Sequence, residues 1–386
     1  ETLRKTFDGR VPGGADLVTY WFEKARAQIA AGKLQAAGLV ATQSIRAGAN
    51  RKVLERVVET TRIFEAWSDE EWVNDGAAVR VSLLGFGPIF PVDRSNRLDG
   101  TEVASIYADL TAGAGLDLTK AKCLRENTPA AFIGTQQNGP FNLAVEEAAE
   151  WLRQPNPNGR PNLDVLKPWA NGQDLAKRPS HTWIIDFGIQ LTGAEASLYE
   201  LPFARITRDV RPMREAGNRE SRKRYWWRLG EPMPALRAAI EPLRRYLVTP
   251  RVAKHRYFVW LPSQVLPDCR LTVIARQDDL TLGLLSSRPH LVWALANASM
   301  HGDGDKGGRP TYNAKSCFET FPFPSGLTPR DTAPVAGQAS PPCLAGQIVA
   351  ENIAAAARRL NELREAWLNP AEWVDWVITP EEEKAG

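Results

Sequence analysis

The sequence predicts an α/β protein, and three observations carry that reading. Helical and strand-like patterns alternate between residues 16 and 86. A basic, aromatic-rich segment lies further along, among short strand patterns. The chain then closes on an Ala/Arg/Leu-rich helical stretch. At 386 residues, with 43% hydrophobic and 24% charged content, it has the composition of an ordinary globular protein and length for two or three domains.

The elements follow in order. Residues 1–15 are a Gly/Pro-rich entry. Leu17, Tyr20, Trp21, Ala25 and Ile29 recur at helical spacing over 16–31, with Asp16 where an N-cap or first-turn acid belongs. Segment 38–45 reads as a short buried strand. Val53, Leu54, Val57 and Val58 mark a helix over 48–60. Segments 62–67 and 77–86 read as two further strands, joined by a polar loop, Ser68–Gly76. This is one end of an open sheet that cannot stand on these strands alone, so a preceding N-terminal part is expected. Glu23-Lys24 reads as an ordinary surface pair. Residues 87–120 are weakly patterned and read as a linker with one short helix.

A second region starts near Lys122. Gly134–Pro140 is a turn-rich loop, 142–152 a helix, and the Pro/Asn-rich run 154–162 is irregular. Residues 183–187 form a strand and 195–200 a helical turn. Residues 256–261 and 271–275 read as paired strands, and 282–298 as helical in its second half. Gly302–Gly308 reads as a flexible loop. Residues 318–324 close the region, 325–343 form a Pro/Ala/Gly/Ser-rich linker, and 348–367 are strongly helical. There are no internal repeats.

The window from Arg205 to Arg256 holds 15 Lys/Arg against 5 Asp/Glu, a net +10 in a chain whose total is +3, so the rest carries −7. Tyr225, Trp226, Trp227 and Tyr246 are interleaved with it, and Tyr257 follows at its edge. Cations on flexible stems neutralise phosphates and flat rings pack on sugars or bases, so nucleic-acid binding is one reading. A solvated basic face with its rings in the core is the other.

Several chemistries find no support. Cys123, Cys269, Cys317 and Cys343 form no CxxC pair, and His181, His255, His290 and His301 show no HxxxH spacing, so no metal site is expected. GxxxxGK[ST], GxGxxG and GxSxG are missing. Asp303 and Asp305 lack the distal Glu of a calcium loop. No apolar run reaches membrane-spanning length and no signal-peptide pattern is present, so no membrane partner and a cytoplasmic location are expected.

Several long segments carry a family resemblance. Gly9–Ala25 (GRVPGGADLVTYWFEKA) resembles the post-catalytic segment of adenine-specific (N6) DNA methyltransferases. The closest subgroup is the MmeI-like one of type II-L restriction-modification and related phage-defence systems. Ala37–Ile45 is similar to that family's next strand, and Asp75–Leu83 to its closing hairpin. Segments 132–136, 156–162, 249–256 and 318–324 look like its target-recognition domain. The resemblance covers roughly residues 8–376. Two parts of the family pattern are absent: the Gly-containing motif for S-adenosylmethionine and the catalytic Asn/Asp-Pro-Pro-aromatic tetrapeptide. The chain is therefore expected to be a fragment, catalytically silent alone.

The resemblance implies the C-terminal part of a class I, Rossmann-like methyltransferase sheet over residues 1–95 and a linker over 96–120. An α/β target-recognition domain over 121–326, a linker over 327–344 and a helical C-terminal region over 345–386 follow. It implies methyl transfer from S-adenosylmethionine to adenine N6 in double-stranded DNA, with restriction or defence-system subunits as further partners. Asp16 and Tyr20 are the candidate cofactor contacts, or else Asp16 is an N-cap. Trp72 is the candidate stacking partner for a flipped adenine, or else it packs on the sheet edge. The DNA-contact candidates are Gln136, Asn138, Arg219, Arg222, Lys223, Arg224, Arg251, Lys254, Arg256, Asn313 and Lys315. Trp226 and Trp227 are either core or contact. A specificity module without chemistry and an RNA-binding or RNA-modifying protein are the rival classes.

Overall fold

A computed structural model describes residues 2–74, 77–89, 95–112, 121–301, 309–333, 347–370 and 372–373. It divides into two compact units, each discontinuous in sequence. One holds Glu1–Leu124, Arg251–His255 and Val292–Phe321, the other Arg125–Pro250, Arg256–Leu291 and Pro322–Gly386.

The first unit begins with α1 (Thr2–Phe7), α2 (Thr19–Ala30), β1 (Ala37–Thr42), α3 (Gly48–Thr60), β2 (Arg62–Asn74), β3 (Ala77–Gly87), β4 (Asn96–Leu98) and β5 (Thr101–Val103). The three expected strands are neighbours in one sheet of order β1-β3-β2-β4-β5. Strand β3 pairs antiparallel with both β1 and β2, and β4 runs parallel to β2. Phe22 and Ile29 of α2, Val53, Leu54 and Val57 of α3, and Ile63, Leu84 and Phe86 of the strands share one core. Each such side chain contributes about 1.5–3 kcal/mol by leaving water, which holds both helices to the sheet.

Three expectations change here. The Ser68–Gly76 loop is instead mostly strand: β2 runs on to Asn74, with an irregularity between Trp67 and Glu70. Arg80 of β3 explains the polar residues on it, donating to Asp69 (2.7 Å) and Glu71 (3.2 Å) across the hairpin. Residues 96–103, expected within a linker, are a hairpin on the sheet edge. Its turn is Asp99-Gly100, both at positive φ (51° and 77°), a pairing that two-residue hairpins favour. The Asp99 carboxylate accepts from Ser68 N (2.6 Å) and Oγ (2.9 Å), tying the hairpin to β2. Glu23 is no surface residue: it is fully buried and receives Arg26 at 2.7 and 2.8 Å, with Arg10 at 3.4 Å and Arg56 at 3.6 Å.

The second unit contains β6 (Ala131–Ile133), β7 (Asn142–Leu143), α4 (Val145–Leu152), β8 (Leu166–Ala170), α5 (Gly172–Ala176), β9 (Trp183–Ile185), α6 (Gly193–Ser197), α7 (Glu200–Asp209), α8 (Arg211–Glu215), α9 (Glu220–Arg224), α10 (Pro234–Ile240), β10 (Arg245–Pro250), β11 (Val259–Pro262), β12 (Leu266–Pro267), β13 (Leu271–Ile274) and α11 (Asp279–Ser286). Two four-stranded sheets organise it, β11-β10-β13-β6 and β12-β8-β9-β7. The strands near 259 and 271 were expected to pair with each other. Instead β10 lies between them, antiparallel to both. Its residues are hidden from a charge-based reading because they sit inside the basic window, yet Tyr246, Leu247, Val248 and Thr249 are fully buried. The stretch before residue 288 is also helical, as α11, capped by Asp278, which accepts from Thr281 N (2.7 Å).

After α12 (Arg288–Ala296), the hairpin β14 (Ser299–His301) and β15 (Arg309–Thr311) returns to the first unit. Gly302–Gly308, between them, lies outside the described residues. In the second unit α13 (Gln347–Leu368) packs on α11. A Cβ at Gly283 would come within 2.5 Å of Ile353, so this crossing requires glycine. The helical expectation beyond residue 373 also lies outside the described residues.

Candidate nucleic-acid interface

Much of the basic window is neutralised within the protein. Arg205 reaches Glu147 (2.7 Å) and Asp209. Arg211 meets Glu215 (2.7 Å), Lys223 meets Glu220 (2.8 Å), Arg237 meets Asp186 (2.7 Å) and Arg245 meets Asp279 (2.9 Å). Glu147, Asp186 and Asp279 come from outside the window, so its effective charge is below the formal +10.

The sequence candidates fall into separate groups. In the second unit, the 134–140 loop meets the segment around α9. Gln136 and Glu231 exchange two backbone hydrogen bonds of 3.0 Å, and Gly230 N donates to Gln137 O at 2.9 Å. The Glu231 carboxylate accepts from Arg222 (2.9 Å) and Arg219 (3.4 Å). Gln136, Asn138, Arg219 and Arg222 are thus gathered in one place. Asn138 sits at φ 52° against Gly230, where a Cβ would lie 2.3 Å from its amide nitrogen.

Arg214 was not among the candidates. It is 4% exposed and donates to Gln137 O (2.9 Å) and Arg228 O (3.4 Å), with no carboxylate partner. Burial, then the nearby Arg222, pull its pKa down, while Glu231 opposes. It clamps the loop carrying Gln136 and Asn138. Nothing in the sequence distinguished it from the other arginines of the window.

The rings divide. Trp226 and Trp227 pack against the core: Trp226 lies 5.2 Å from Phe203, and Trp227 Nε1 donates to Leu191 O at 3.2 Å. Tyr225 is more open, at 37% exposed, with the Arg228 and Arg224 guanidinium groups 4.6 and 5.4 Å from its ring centre. Tyr246 is fully buried and donates to Val265 O (2.6 Å), and burial pushes its phenol far above the ordinary tyrosine range.

A separate group lies on the first unit. Tyr312 N donates to Arg251 O (2.6 Å), Val252 bridges Thr311 and Ala253 N donates to Pro310 O (3.4 Å), so the segments run antiparallel, with Arg251 on the Asn313 side and Lys254 on the Arg309 side. Lys254 and Lys315 are exposed, and Asn313 donates to Ser299 Oγ (3.4 Å). Arg256 belongs to the second unit, where it donates to Thr249 Oγ1 (2.9 Å) and Pro250 O at the end of β10.

On the five-stranded sheet of the first unit, Trp72 stands in β2 opposite Val79 and is 44% exposed. It is therefore not folded into the core. Asp16 does not cap α2, whose N-cap position is Val18. Its backbone N–H donates to Asn50 Oδ1 (2.8 Å), and its carboxylate accepts from Asn50 Nδ2 (2.7 Å) and Ser44 Oγ (3.0 Å). Tyr20 is buried edge-on to Phe7. The Asp16 carboxylate is engaged by Asn50 and Ser44 although the residue is exposed, and the Tyr20 ring is enclosed. Among the described residues no group of three or more His, Cys, Asp or Glu could hold a metal ion. No described helix is long and apolar enough to cross a membrane.

A solved structure of the type IIL restriction-modification enzyme MmeI in complex with DNA superposes at a TM-score of 0.64 with 19% identity, covering 83% of this chain. In fold, the chain is similar to MmeI. It spans 44% of the length of MmeI, so the similarity concerns less than half of that enzyme. The type IIG restriction endonuclease BpuSI also matches, over 92% of this chain and 46% of its own, at a TM-score of 0.30 and 10% identity, too low to bear on the fold. No protein-family model matches the chain, and no curated protein matches it in sequence.

Proposed function

We propose that this chain supplies DNA target recognition to a restriction-modification enzyme that methylates adenine N6. The observation that supports this most is the likeness of fold, over 83% of the chain, to MmeI, an enzyme solved on DNA. The order of the motifs in the sequence fits the same reading. Phosphates are met by exposed cations such as Lys254 and Lys315, while the Arg214-clamped loop presents Gln136 and Asn138 toward base edges.

S-adenosylmethionine is the proposed methyl donor. The family's Gly-containing motif for it and the catalytic tetrapeptide are not in these 386 residues, so no chemical step is assigned to a side chain of this chain. The missing tetrapeptide favours one second reading, a specificity module without chemistry of its own. Expressing the whole gene that contains this sequence in a host without adenine methylation separates the two. N6-methyladenine in one sequence context is the expected result. Unmodified DNA, with duplex binding retained, would leave the module alone.

A further inference from the structure

In the second unit a cleft of about 560 Å³ opens among the turn after Arg125, the end of α10, the end of β13 and the turn at Arg330. Arg125, Arg276 and Arg330 line it, and none of the described residues lining it is acidic. Most arginines of the basic window face carboxylates, but these three do not. Arg125 and Arg330 are exposed, and their guanidinium groups have no hydrogen-bond or ion-pair partner among the described residues. Arg276 is 7% exposed and satisfied only by carbonyls. Its Nε donates to Pro329 O (2.8 Å), its Nη1 to Ala275 O (2.6 Å), and its Nη2 also to Pro329 O.

The nearby acids are occupied elsewhere. Asp278 accepts from Thr281 N (2.7 Å) and Oγ1 (3.0 Å), and Asp331 from Thr328 N (2.9 Å) and Oγ1 (2.7 Å). Burial pulls the Arg276 pKa down, and the charge of Asp278 opposes this without reversing it. Three like charges around one hollow repel each other, and the donors of Arg125 and Arg330 are unused among the described residues; an anion offsets both costs. The other walls are small and apolar, including Ala238, Ala239 and Pro242. The volume falls in the range of about 300–1,000 Å³ typical of small-molecule sites.

We propose that this cleft binds one nucleotide unit, its phosphate on Arg125, Arg276 and Arg330 and its ring system against the alanine and proline wall. The site does not depend on the function proposed above. Arg125 and Arg276 fall within the 121–326 region that the resemblance assigns to target recognition, but none of the three arginines is among the DNA-contact candidates, so either reading can fail without the other. The source is a free nucleotide or a residue of a polynucleotide, and the shared chemistry is a phosphate ester beside a flat ring.

The test is calorimetric titration of the chain at low salt with AMP, adenosine and inorganic phosphate. AMP is expected to bind at least tenfold more tightly than either fragment. The double variant Arg125→Ala/Arg330→Ala changes two exposed side chains and should weaken AMP at least tenfold with an unchanged circular dichroism spectrum. Ala238→Glu, which sets a carboxylate on the wall, should do the same. Arg178→Ala, an exposed residue of the same unit outside the cleft, should leave AMP binding as it was. Equal AMP affinity in the cleft variants, or adenosine binding as well as AMP, overturns the proposal. Phosphate binding as well as AMP overturns the ring contact. A short duplex that displaces AMP assigns the site to a polynucleotide, and a duplex that does not assigns it to a free nucleotide.

Discussion

Glu231→Gln isolates the electrostatic role of the candidate interface. Glu231 holds Arg222 at 2.9 Å and Arg219 at 3.4 Å, and its own backbone pairs with Gln136. The amide keeps the size and the backbone pairing and removes one negative charge from beside two cations. The carboxylate side chain is 48% exposed and the arginines 66% and 21%, so the pairs are solvent-screened. Losing them should cost no more than about 1 kcal/mol of stability. If Arg219 and Arg222 then turn to phosphates, each adds about 0.9 to the slope of log K against log salt. The slope should steepen by up to about 2, with affinity for all duplex sequences rising together. Anisotropy titrations of a labelled duplex between roughly 50 and 200 mM salt would measure it. An unchanged or shallower slope would refute the placement of these arginines at the DNA backbone. A change confined to one sequence would show that they read bases instead.

Other perturbations bear on separate parts of the account. Lys254→Ala, on the first unit, should lower the salt slope by about one and weaken all sequences alike. His290 is buried, its Nδ1 is 2.8 Å from Leu285 O, and burial lowers its pKa from 6.5 to about 4. Between those values the unfolded chain takes up the proton and the folded one does not. Stability should therefore fall as pH drops from 6.5 toward 4, by roughly 3 kcal/mol over the window, and His290→Gln should flatten that dependence in urea titrations. Gly134→Ala would place a Cβ 2.1 Å from Asp268 O, where the Thr135–Asp268 bridge leaves no room. A loss of about 1–3 kcal/mol in denaturant midpoint is expected, and a neutral result would contradict this backbone approach. In the whole enzyme with 2-aminopurine at the target adenine, Trp72→Ala should change the fluorescence of the flipped base and slow methylation, with duplex affinity nearly intact. Wild-type values for both would make Trp72 a packing residue.

The first sheet was legible because its strands and helices alternate apolar patterns with clear boundaries, such as Gly48 opening α3 and Thr61 after it. Residues Ser68–Asn74 were not, because their strand is held by backbone pairing and by Arg80, not by a buried face. The β4–β5 hairpin carried a readable signal in Asp99-Gly100, but three-residue strands give no periodicity. Strand β10 was masked by the arginines on both sides of it. The candidate site was half legible. Charge counting located the basic window, but the carboxylates that neutralise it are distant in sequence, as with Asp186 for Arg237 and Asp279 for Arg245. Glu23 shows the same limit in reverse: its three arginines come together only in the folded chain.

Duplex binding against structured RNA tests the central claim most directly. The chain as given, titrated with a labelled random-sequence duplex, should bind with an affinity that falls linearly in log–log form as salt rises. Structured RNA of equal length should compete poorly. Absence of duplex binding at low salt, or RNA competing as well as duplex, would contradict the reading of this chain as a DNA-recognition module.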